Sequence, residues 1–111
     1  MKAYTSLEQS KKLMEILPLE SADMDYIPVL NNYGEDYFTV YVWDGHFIEE
    51  GWIPCWSLSA LLDYLTANFR VEIKYLDNFW ELDCRVQVTY NKELVDACVA
   101  MLLKLHEQEL L

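Results

Sequence analysis

His46 and Cys55 are the residues whose types could supply a nucleophile and its base. A thiol attacks as the thiolate, so it needs a neighbouring base or positive charge and a third group to orient that base. The nearest ionisable residues in sequence are instead Asp44, Glu49 and Glu50, and carboxylates raise a thiol's pKa. Pro54-Cys55-Trp56-Ser57 reads more simply as a buried cysteine entering a helix. No catalytic residue is assigned, and a small hydrolase or metal-dependent enzyme using the His46–Cys55 region stands as the alternative function.

Asp44, His46, Glu49 and Glu50 are proper ligand types for a hard or borderline cation. Their spacing matches no known metal loop, and exposed acids at a hairpin tip need no partner. They are read as an acidic patch, with no metal site and no cofactor. With three glycines and none of the phosphate-cradling or hydrolase motifs, the chain offers little for nucleotide chemistry. His106, near the end of a helical stretch, complements the helix dipole.

The aromatic residues carry the leading hypothesis. Tyr37, Tyr41, Trp43, Trp52 and Trp56 fall close together, and aromatics with polar tips are enriched where proteins meet. If Phe38, Val40 and Val42 face the core, period two sets Tyr37, Thr39, Tyr41 and Trp43 on the opposite face.

Charge narrows the partner. The net charge is −11, and between Lys12 and Arg70 there are ten acids and no Lys or Arg. Such a field repels phosphate backbones, so direct binding to nucleic acid or an anionic membrane is disfavoured and a partner of basic character is favoured. An acidic DNA mimic, occupying a nucleic-acid-binding protein, is a further alternative. Cys55, Cys84 and Cys98 are an odd number without zinc spacing, which predicts reduced, buried thiols. The first residues show no apolar signal core, and no segment approaches the roughly twenty apolar residues of a membrane span. A cytoplasmic location follows.

The elements that must position these residues can be read from periodicity. Thr5 and Glu8 form a capping-box pair opening a first helix that ends at Pro18. Met24–Leu30 reads as a short strand, Tyr37–Trp43 as a strand, and His46–Ile53 as its returning partner. Ser57 caps a second helix that stops at Asn68. Phe69–Tyr75 and Trp80–Tyr90 alternate around Asp77-Asn78 as a hairpin whose core side is Val71, Ile73, Leu82, Val86 and Val88. Asn91 caps a last helix whose stripe is widened by Val95, Val99 and Leu103, more girth than one small sheet covers. Those three residues are therefore expected to form a homodimer contact.

The stretches Thr5-Ser6-Leu7-Glu8-Gln9-Ser10-Lys11-Lys12-Leu13, Leu17-Pro18-Leu19-Glu20-Ser21-Ala22-Asp23-Met24 and Pro54-Cys55-Trp56-Ser57-Leu58-Ser59-Ala60-Leu61-Leu62 resemble a family of small uncharacterised proteins of Bacteroides-type gut bacteria, over the first two-thirds of the chain. Members are often products of prophage or other mobile elements, so the resemblance implies an accessory, phage-related role. It brings no active site.

Together these readings give a single α+β domain over residues 1–111: a small antiparallel sheet of four or five strands with three helices packed mainly on one face. The expected function is non-enzymatic protein–protein interaction.

Overall fold

The computed structural model describes residues 1–30, 36–42 and 51–111. Helix α1 spans Leu7–Leu13, and a short 3-10 turn follows at Leu19–Ser21. Strands β1 (Met24–Leu30), β2 (Asp36–Val42) and β3 (Ile53–Cys55) precede α2 (Leu58–Asn68). Strands β4 (Glu72–Leu76), β5 (Phe79–Asp83) and β6 (Val88–Asn91) lead into α3 (Leu94–Glu107).

The α+β class holds, but not the single sheet. The described strands form two three-stranded antiparallel sheets, ordered β2-β1-β3 and β4-β5-β6. Local pattern does not specify which strands pair. Ile53, expected to return beside β2, instead pairs with Tyr26 of β1, which makes β1 the central strand. The rest of the expected return strand lies outside the described residues except Gly51 and Trp52.

The first helix starts one residue later than expected. Ser6, not Thr5, accepts from the Gln9 amide at 3.2 Å, and the Gln9 side chain accepts from the Ser6 amide at 2.9 Å. This is the reciprocal capping box, shifted by one. Thr5 is fully buried; its hydroxyl lies 2.7 Å from that of Ser10 and accepts from the Trp56 amide at 3.2 Å. A threonine committed to the interior is not free to cap. Ser57 caps α2 as read, accepting from Ala60 at 3.1 Å. The last helix has Glu93 at its cap position, while Asn91 accepts from the Glu93 amide at 3.1 Å.

The hairpin after α2 differs most. Asp77 and Asn78, with φ of 52° and 69°, make the expected tight turn between β4 and β5. A second turn interrupts the long alternation. Cys84 donates its amide to the Gln87 carbonyl at 3.0 Å, and Arg85 adopts a left-handed φ of 75°. The chain reverses there, so Thr89 faces inward while Val86 is 57% exposed. Of the five expected core residues, Leu82 is fully buried, Val71 and Val88 are half-buried, and Ile73 and Val86 are exposed.

Helix α3 explains its own breadth. It covers β5 and β6 on one side and meets α1 and α2 elsewhere, burying Leu94, Val95, Ala97, Cys98, Val99, Met101, Leu102 and Leu105. Val95 and Val99 are thus enclosed by the chain itself, and Leu103 packs half-buried against the same core. Val95 and Val99 therefore have almost no surface to offer the expected homodimer contact. A smaller core joins Met24, Tyr26 and Cys55 with Leu7 of α1, Val40 and Ile53.

Candidate functional site

One face of the first sheet gathers the residues of interest. Asp25 of β1 stands opposite Tyr41 of β2 on one side and Pro54 of β3 on the other. Ile27 and Val29 continue this face along β1, opposite Thr39 and Tyr37. Tyr37 and Tyr41 share this face, as period two predicts, and they are exposed by 50% and 53%. On the other face Val40 packs inward, but Phe38 and Val42 are exposed, so strand β2 offers apolar surface on both sides.

Asp25 was not singled out by its sequence position, yet it is the most unusual residue of this face. It is fully buried, and neither carboxylate oxygen has a hydrogen-bond partner among the described residues. Burial pushes its pKa from 3.8 up to about 6. At neutral pH an ionised carboxylate therefore sits buried at the position across from an exposed tyrosine, at a cost to the fold. The only available signal is an acid in phase with Ile27 and Val29 on a strand.

The other candidate residues separate. Trp52 is half-buried. Trp56, expected in the aromatic surface, is fully buried and donates its indole N–H to Ser21 Oγ at 2.9 Å. It belongs to the core because β3 leads directly into α2, beneath which Trp56 is held by Thr5. Trp43, Asp44, His46, Glu49 and Glu50 lie outside the described residues, so the acidic patch and the conceivable metal set do as well, and of the nucleophile pair Cys55 alone is described.

The cysteines are free and buried, as read. Burial, with the Asp23 carboxylate assisting, raises the Cys55 thiol's pKa, and burial pushes Cys98 up to about 12. Cys55 Sγ lies 3.6 Å from Thr5 Oγ1, beside a Tyr26 hydroxyl that donates to the Thr5 carbonyl at 2.7 Å. Such a thiol is held in its protonated form, the opposite of an activated nucleophile. Asp23 accepts from the Ser57 amide at 2.9 Å and from its hydroxyl, tying the start of α2 to the segment before β1.

No family profile, curated protein or solved structure matches the chain. Among the described residues no helix is long and apolar enough to cross a membrane.

Proposed function

We propose that this chain is a non-enzymatic interaction module that receives a basic protein segment along β2. One observation carries the reading: exposed Tyr41 lies directly opposite buried Asp25, whose carboxylate has no partner among the described residues. A cationic side chain laid over Tyr41 meets the ring face and has a carboxylate close behind it. Tyr37, two pairs along the same face, extends the aromatic surface. Because β2 is an edge strand in the described sheet, its outer backbone groups suit an added strand.

The negative charge of the middle of the chain supports a basic partner by steering its approach. Free, buried thiols suit a reducing compartment such as the cytoplasm. An accessory role of the phage or mobile-element kind fits a small binding module without its own chemistry.

The test is affinity capture from source cells, comparing wild type with Tyr41→Ala and Asp25→Asn and identifying partners by mass spectrometry. The expected result is a basic protein retained by wild type, lost with Tyr41→Ala, and held more weakly and with less salt dependence by Asp25→Asn. Identical captured sets from all three proteins would exclude this face.

A further inference from the structure

The second sheet has an edge that is complementary to itself. Helix α3 lies over β5 and β6, whereas every residue of the edge strand β4 is exposed. Ile73 and Tyr75 share the helix-facing side of the sheet with their partners Leu82 and Trp80. Leu82 is fully buried beneath α3, but Ile73 remains 39% and Tyr75 55% exposed. Apolar side chains thus occupy the covered side of the sheet at a place the cover does not reach.

Backbone geometry limits how a strand could be added. Leu76 and Phe79 flank a two-residue turn and so form a hydrogen-bonded pair. By alternation, Lys74 and Glu72 also bond inward to β5, which leaves the N–H and C=O groups of Ile73 and Tyr75 directed at the open edge.

Consider a second β4 laid antiparallel against this edge. Centred on Lys74, the pairing opposes two ammonium groups; centred on Glu72, two carboxylates. Centred on Tyr75, it opposes Lys74 to Leu76 and leaves Glu72 beyond the partner strand. Centred on Ile73, it matches the open backbone groups, opposes Glu72 to Lys74 on both sides of the axis, and sets Val71 against Tyr75. The ion pairs then fall at non-hydrogen-bonded positions, where side chains approach most closely.

We propose that two copies of the chain associate through β4 in this register, with a two-fold axis at Ile73, joining their three-stranded sheets into one continuous sheet. The contact covers Ile73 and Tyr75 and satisfies the edge. The chains' net charge of −11 opposes association, but screening confines that repulsion to groups within roughly 8 Å, and the contact itself carries Arg70, Glu72 and Lys74 in near balance. The surface lies on a different sheet from β2, so the proposal stands independently of the function proposed above.

Sedimentation velocity on the full chain over a concentration series tests it. Wild type should dimerise, and Glu72→Lys and Lys74→Glu should each weaken the dimer roughly tenfold, because each creates two like-charged pairs. Mixing the two variants should restore wild-type affinity, since both pairs of residues 72 and 74 across the contact again join opposite charges. Ile73→Cys should form a covalent dimer under mild oxidation, as directly opposed Cα atoms about 5.5 Å apart lie within disulfide range. A wild type that stays monomeric at high micromolar concentration would overturn the proposal. So would single variants that dimerise like wild type, or a mixture no tighter than its components.

Discussion

Thr89 donates its hydroxyl to the Ala97 carbonyl at 2.9 Å, so the β6 residue that faces α3 is a polar one. Its neighbours Val88 and Tyr90 point the other way, and Tyr90 is 63% exposed. The bond lets a threonine sit in an apolar layer beside Leu82, its cross-strand partner.

This inverted phase sets an order of stabilities in urea denaturation. Leu82→Ala should cost about 2–5 kcal/mol, since it opens a cavity beneath α3. Thr89→Ala should cost about 1 kcal/mol through its lost hydrogen bond. Val86→Ala should stay within about 0.5 kcal/mol, because the side chain is exposed on a turn. A Val86 effect as large as that of Leu82 would contradict the second turn.

Asp25 should give stability an unusual pH dependence. Its folded pKa, about 6, lies above the ordinary 3.8, so the folded state binds more protons between these values. Its contribution is therefore full below the ordinary pKa and is lost as pH rises through 6. The two-unit difference corresponds to on the order of 3 kcal/mol. Asp96 acts oppositely: the Lys2 ammonium and the Gln9 amide bond its carboxylate and lower its pKa, so its contribution is lost only on acidification. Asp25→Asn should thus be more stable than wild type at pH 7, with the advantage shrinking towards pH 4 in chemical denaturation. A pH-independent difference would show that the Asp25 carboxyl does not titrate anomalously.

The two serine caps should differ in value. Ser6→Ala should cost about 1 kcal/mol as a cap loss. Ser57→Ala should cost more, since the same hydroxyl also donates to Asp23 and its loss leaves that carboxylate short of a partner. Thermal unfolding of the two variants, with Asp23→Asn alongside Ser57→Ala, checks both the ranking and the coupling.

Thiol labelling should track unfolding. Cys55 and Cys98 are fully buried with raised pKa values, and Cys84 is 4% exposed with its Sγ 3.3 Å from Met101 Sδ. All three should react with an aromatic disulfide in one phase at the rate of global opening. Fast labelling of Cys55 alone would show that the region around β3 opens separately.

The elements legible in the sequence are those whose cues are local. Ser57 before an apolar helical run and Asp77-Asn78 between strands each act through their own backbone, and both function as read. Pairing was not legible, because the contact of β3 with β1 depends on a reversal between distant segments. The turn at Arg85-Val86 was hidden because it lacks Gly or Asn and the alternation continues in sequence across it. Trp56 and Trp52 share a residue type, and only tertiary enclosure separates the core indole from the half-buried one. On the candidate face, Tyr37 and Tyr41 followed from period two, whereas Asp25 announces itself only once its burial is known.

The segment before α1 is fastened to the start of α3. The Lys2 amide donates to Glu93 at 2.8 Å and its ammonium to Asp96 at 2.8 Å, across 91 and 94 positions. Helix α3 meanwhile supplies much of the main core to elements translated before it. During synthesis, which proceeds at about 5–20 residues per second, α1, α2 and the β5–β6 ladder are made before the helix that packs against all of them. Native packing of the main core therefore has to await α3. Until then Leu13, Trp56, Leu61 and Leu65 lack part of their apolar cover.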